Sequence, residues 1–163
     1  MNVRAVPKTV AVRVMAVVAI AMALVAGTNL VRPPAASAAV TCYGDYCSGQ
    51  DPMATHCSDD GRTVAATDVY YRPFVSQTAR YAGYLELRWS PTCKTNWARF
   101  TPQAGFNYRL QAVQPETGYT QTQNANSWQS AWTSQIYSPA KCVYAYILVV
   151  DYWSDGNGKT ACI

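Results

Sequence analysis

A small, disulfide-stabilised antiparallel β-sandwich or barrel behind a signal peptide is the fold this sequence predicts, and three observations predict it. Residues 1–39 have the layout of an export signal. All six cysteines (Cys42, Cys47, Cys57, Cys93, Cys142 and Cys162) lie beyond it. So do the five Trp, twelve Tyr and three Phe, among Val and Thr and punctuated by Gly, Pro, Asn and Asp, the composition of strands joined by turns.

The export segment has three parts. Arg4, Lys8 and Arg13 make the start positive, Val14 to Ala26 is apolar, and Ala36, Ser37 and Ala38 offer a small-residue cleavage site, so cleavage is expected after Ala38 or Ala39. The apolar run is about thirteen residues, short of the roughly 20 that span a bilayer as a helix. Gly27, Thr28, Asn29 and Arg32 then break it. The expected product is secreted and extracellular, and meets the membrane only during export.

Charge changes meaning once this segment is removed. Arg4, Lys8, Arg13 and Arg32 account for four of the thirteen basic residues, leaving nine against nine acidic ones. The mature domain has no net charge, and nothing in it points to nucleic acid or anionic lipid. About 125 residues from position 40 onward suffice for one domain and not for two.

Six cysteines in an oxidising compartment read as three disulfides. Zinc is the competing use of four thiolates, but there is no C-x-x-C pair and His56 is the only histidine, so no metal ligand is assigned. One pairing follows from the chain itself. Ser154-Asp155-Gly156-Asn157-Gly158 reads as a turn between an apolar strand that Cys142 opens and a short segment that Cys162 ends; a hairpin there sets Cys142 opposite Cys162. Cys42, Cys47, Cys57 and Cys93 then make the other two bridges, in an order that spacing does not choose.

Along the chain, Thr41 to Gly61 has almost no aliphatic residue and is expected to be a loop pinned by disulfides. Thr63 to Tyr71 is the first strand. Tyr84 to Trp89 alternates, with Leu85, Leu87 and Trp89 facing in and Tyr84, Glu86 and Arg88 facing solvent. Asn96 to Thr101 and Gly105 to Val113 follow, the latter with Phe106, Tyr108, Leu110 and Ala112 on its buried face. The polar stretch Gln121 to Gln135 fits a strand, and its Trp128, Trp132 and Ile136 spacing fits a helix face as well. Val143 to Tyr152 is apolar on both faces, as expected of a central strand covered on both sides.

No catalytic residue or cofactor site is assigned. His56 beside Cys57 is the one candidate base; Glu86 and Glu116 are the only glutamates, with Glu86 expected on the solvent side of its strand. Asp45, Asp51, Asp59 and Asp60 crowd one loop in no calcium-binding spacing, so turn capping is their expected role. Trp128 and Trp132 among amide side chains, with Tyr119 nearby, have the makeup of a surface that stacks sugars or grips a protein, and core filling is the competing use. The expectation is a non-enzymatic binder of an extracellular protein or a cell-envelope polysaccharide; the alternative is an exported enzyme inhibitor or toxin-assembly component that docks through the Cys42–Cys57 loop.

Cys42-x4-Cys47-x-Gly49-x-Asp51-Pro52-x4-Cys57, followed by Leu85-Glu86-Leu87-Arg88-Trp89-Ser90-Pro91-x-Cys93-x3-Trp97-Ala98-Arg99, resembles the YjfA-like family of small exported bacterial proteins, a domain of unknown function. The likeness covers residues 42–113, with 114–163 as a C-terminal elaboration. It implies export and a disulfide-held β domain, and no activity. In this motif Pro91 and Cys93 are expected to tie a strand end to the N-terminal loop, Trp89 and Trp97 to pack beneath it, and Arg88 and Arg99 to pair with Glu86, Asp59 or Asp60.

Overall fold

The computed structural model describes residues 39–126, 128–150 and 154–163. The chain divides between Ala36 and Ser37 into two units, and all described residues lie in the second. The expected export segment, Ala39 apart, therefore lies outside the described residues. Among those that are described, no helix is long and apolar enough to cross a membrane.

Among the described residues, alternation and turn chemistry produce nine strands: β1 (Arg62–Pro73), β2 (Arg80–Ser90), β3 (Thr95–Pro102), β4 (Tyr108–Gln114), β5 (Tyr119–Ala125), β6 (Ala131–Trp132), β7 (Ile136–Tyr137), β8 (Tyr144–Val149) and β9 (Ser154–Lys159). They form one antiparallel sheet in the order β5-β4-β8-β9-β1-β2-β3-β6, with β7 also on β3. The sheet curls into a nearly closed barrel, so the all-β expectation holds. The two end strands, β5 and β6, leave a seam between them.

Inward positions fill the interior. Leu85 and Leu87 of β2, Phe100 of β3, Tyr108, Leu110 and Ala112 of β4, and Ala145 and Ile147 of β8 are all fully buried, as the period-two pattern of β2 and β4 predicts. Phe100, Phe106 and Tyr108 pack edge-on or tilted with centroids 5.1 to 6.2 Å apart. Burial pushes the Tyr108 phenol up to about 12, so it stays neutral.

Three disulfides close the chain: Cys42–Cys47, Cys57–Cys93 and Cys142–Cys162. The third is the expected hairpin bridge. Its hairpin differs from expectation, however, because Ser154 to Gly158 is strand rather than turn. β8 pairs with β9 from Tyr146↔Lys159 to Val149↔Gly156, and β9 pairs on its other side with β1. The glycines serve close packing instead of reversal. A Cβ on Gly156 would lie 2.6 Å from the Tyr70 carbonyl oxygen, and one on Gly158 2.7 Å from Val69 Cγ2. Tyr152, expected to end the strand, lies outside the described residues.

Three other expectations change. β8 is central, but its second face (Tyr144, Tyr146, Leu148) is only half-buried. The strand buried on both faces is β3, where Thr95, Asn96, Trp97 and Ala98 are all inaccessible. Its outer face at Trp97 lies under the end of the N-terminal loop, and a Cβ on Gly61 would sit 2.7 Å from the indole. Trp89 does not join it there; it lines a separate cleft with Arg62, Asn96 and Cys142. Finally, Gln121 to Gln135 is no single strand, since β5 ends at Ala125 and β6 begins at Ala131.

Gly156→Ala is expected to destabilise the fold by about 1 to 3 kcal/mol, because the new methyl must push β9 off β1. Urea denaturation of the two proteins measures the difference.

Candidate functional site

The N-terminal loop cannot build a core of its own, and the structure fastens it to the seam. Gly49 N–H donates to the Gln135 carbonyl (2.9 Å), and Gln135 N–H returns to the Gln50 carbonyl (3.0 Å). Tyr137 N–H donates to Ser48 Oγ (2.9 Å), and Trp132 Nε1–H to Asp51 Oδ1 (3.0 Å). The loop thereby covers the β6–β7 edge. β5 pairs on one side with β4 and faces the loop across the seam with its other edge.

Two clefts open along this seam, both walled by β5 and the loop. One, of about 320 Å³, is lined by Asp51, Gln123, Ser130, Trp132 and Ser134. The other, of about 740 Å³, is lined by Asp45, Ser48, Tyr119, Tyr137 and Lys141. Gly49 stands between them, its Cβ position 3.8 Å from both Tyr119 Oη and Gln121 Nε2. Both volumes fall within the range of small-ligand sites.

The three aromatic residues picked from sequence meet this groove in different ways. Tyr119, at the start of β5, lines the larger cleft and accepts a hydrogen bond from Gln121 Nε2 (2.8 Å). Trp132 lines the smaller cleft, half-buried and held by Asp51. Trp128 is 70 % exposed. Its indole rests against Gly105, where a Cβ would be 2.3 Å from Nε1, so the five-membered-ring side of the indole is backed by the chain there. Tyr119 and Trp128 flank opposite ends of β5. A cluster is therefore not what the structure makes of these residues; they are strung along an edge. No local pattern marks Gly105 as a support for Trp128, or Tyr137 and Lys141 as cleft residues, because each depends on partners distant in the chain.

Beside Trp132, whose register partner on β3 is Arg99, lies an ion cluster. Glu86 is only 4 % exposed, which corrects its expected place in solvent. It sits on the outer face of β2 but under its neighbours: Arg99 donates through Nε (2.6 Å) and Nη2 (2.9 Å), and Thr63 Oγ1 donates at 2.5 Å. Arg88 Nη1 stands 3.6 Å away and also reaches Thr63 and the Gly61 carbonyl. Both arginines thus choose Glu86 over Asp59 or Asp60. Burial opposes ionisation of this carboxyl, but the hydrogen bonds from Arg99 and Thr63 and the two positive charges outweigh it, holding its pKa below the ordinary 4.5.

The aspartates act as turn and loop caps, as expected. Asp45 accepts from Ser48, Asp51 from Met53 N–H, and Asp60 from Ser90 Oγ and Thr92 N–H. His56 Nδ1 lies 3.4 Å from Asp59, on a residue with φ of 61°. Cys57–Cys93 and the Asp60 bonds tie the end of β2 to the loop, the role expected of Pro91 and Cys93.

Because the Glu86 pKa is lower folded than unfolded, its contribution is complete above about 4.5 and lost as pH falls through the folded value. Glu86→Gln should lower the melting temperature near pH 7 and narrow its gap to the parent by about pH 3. A gap that stays constant across that range would show that the ionised carboxylate is not what stabilises this face.

No curated protein and no solved structure matches the sequence. A family match does exist, over residues 45–146, from the first turn of the N-terminal loop into β8 and past Val113. It takes in the Cys47, Cys57 and Cys93 framework, the Glu86 cluster and both walls of the seam. The chain belongs to the family described as protein of unknown function (DUF2690).

Proposed function

We propose that this is an exported, non-enzymatic module that binds an extracellular or cell-envelope polysaccharide along the seam. The observation that carries the reading is Trp128, lodged against Gly105 by the Nε1 side of its indole with most of its surface in solvent. An indole already steadied along one side loses less entropy when a pyranose stacks on its open surface. The seam beyond it offers the complementary chemistry. Gln123, Ser130 and Ser134 supply donors and acceptors for hydroxyl groups, and Tyr119 and Tyr137 supply further ring surface. Three disulfides and the resemblance to YjfA-like exported proteins support an extracellular setting.

A second reading has its own observation. Tyr43, Tyr46 and Met53 project from the disulfide-pinned loop at 80, 87 and 51 % exposure, a composition suited to docking on a protein as an inhibitor or assembly subunit.

Retention of the purified protein on a panel of cell-wall and extracellular polysaccharides tests the first reading. Trp128→Ala and Tyr119→Ala should each weaken retention about tenfold or more while leaving the melting temperature nearly unchanged. Trp132→Ala is expected to lower stability as well, since it frees Asp51. Glycan binding indifferent to Trp128 and Tyr119 would overturn the seam as its site. Retention of a defined secreted protein, lost with Tyr43→Ala and Tyr46→Ala, would favour the second reading.

A further inference from the structure

Cys42, Cys47, Cys57 and Cys93 form two disulfides, yet their four sulfurs make a single cluster. All four lie within 4.8 Å of one another, and Cys42 Sγ and Cys57 Sγ, which are not bonded together, are 3.5 Å apart. Cys42 is 9 % exposed and the other three 2 % or less. The third bridge, Cys142–Cys162, stands outside the cluster.

We propose that these four cysteines are a redox-interchangeable staple, which in reducing conditions holds one zinc ion as a tetrathiolate in place of the two disulfides. A tetrahedral site with Zn–S near 2.3 Å has sulfur–sulfur edges of about 3.8 Å. The present cluster reaches that geometry when its two bonded pairs separate by roughly 2 Å, a matter of side-chain rotation. Cys42-x4-Cys47 also falls in the spacing range of zinc ligand pairs. The lack of a C-x-x-C pair argues against zinc in one dimension only, because the fold delivers Cys57 and Cys93 from separate segments.

The scaffold does not rely on the S–S bonds alone. The loop is held by Thr41 N–H to the Thr55 carbonyl (3.1 Å), by the Gln135 bonds to Gly49 and Gln50, and by Asp60 to Ser90 and Thr92. Gln135, fully buried, aims Nε2 at Cys42 Sγ (3.6 Å) while its Oε1 is fixed by Thr95 Oγ1 (2.8 Å). An amide N–H directed at a sulfur is the kind of outer-shell donor that steadies a metal-bound thiolate.

The chemistry balances with a dithiol reductant. Each protein disulfide takes two electrons and two protons from one dithiol, which closes to its own disulfide. Four thiols result, and they release four protons as the zinc ion binds, leaving a centre of net charge minus two. This proposal is independent of the glycan reading.

The test uses the full chain, reduced anaerobically with a dithiol, freed of reductant and titrated with Co²⁺ and then Zn²⁺. The expected result is about one equivalent of Co²⁺ with the intense d–d and sulfur-to-metal charge-transfer bands of a tetrahedral tetrathiolate, displaced by zinc. Cys142→Ser with Cys162→Ser should keep that spectrum. Cys57→Ser with Cys93→Ser should lose it and bind Co²⁺ at least tenfold more weakly. Weak octahedral bands, or a spectrum that survives loss of Cys57 and Cys93, would overturn the proposal. Far-UV circular dichroism covers the case in which reduction unfolds the chain: zinc should restore the β spectrum, and a reduced chain that zinc leaves unfolded overturns the proposal equally.

Discussion

Gln135 is the joint on which the molecule's second half depends. It is fully buried, and every polar group it has is spent: its backbone bonds Gly49 and Gln50, its carbonyl oxygen Oε1 accepts from Thr95, and its Nε2 reaches Thr55 and Cys42. A buried amide is tolerable only when satisfied in this way. The consequence is that the N-terminal loop, β3 and the β6–β7 edge have one relative position. Without that position the loop would have no surface to lie on, and the seam would have one wall instead of two.

The loop in turn resolves a problem of the sheet. A barrel that stops short of closure leaves two strand edges with unpaired backbone groups. Here one edge is covered by a disulfide-pinned loop, while the other, β5, carries polar side chains (Thr120, Thr122, Gln123 and Asn124) that keep it compatible with water. The groove between them is a by-product of incomplete closure. The same incompleteness leaves amides, hydroxyls and aromatic rings in one concave strip, which is what a hydroxyl-rich ligand needs.

Covalent and ionic constraints divide the remaining work. The Cys57–Cys93 disulfide and the Asp60 bonds fix the loop to the β2–β3 turn, Cys42–Cys47 closes the loop on itself, and the Glu86 cluster fixes the outer face of the same strands. Glu86 shows why period-two reasoning misplaces such a residue. Its side chain does point outward, but Arg99 and Thr63 on the two adjacent strands close over it beside Arg88 of its own strand, and cross-strand neighbours are invisible to a pattern read along one strand. Gly156 and Gly158 misled for a related reason. Glycine in Asp-Gly-Asn-Gly signals either a turn or a close approach, and only the neighbouring strand tells which.

By itself the sequence determined the all-β class, the inward faces of β2 and β4, the Cys142–Cys162 bridge and the structural duty of the loop aspartates. These depend on local alternation, on hairpin proximity and on side chains that bond their own turn, all short-range physics. Tertiary structure alone decided which of the four remaining cysteines pair, that their sulfurs share one cluster, that Trp128 lies on Gly105, and that Tyr119 and Trp132 stand in separate clefts of one seam. Most of those facts depend on segments far apart in the chain, as Cys57 and Cys93 are at a separation of 36 residues, and on how a curled sheet brings its end strands together, which no periodicity encodes.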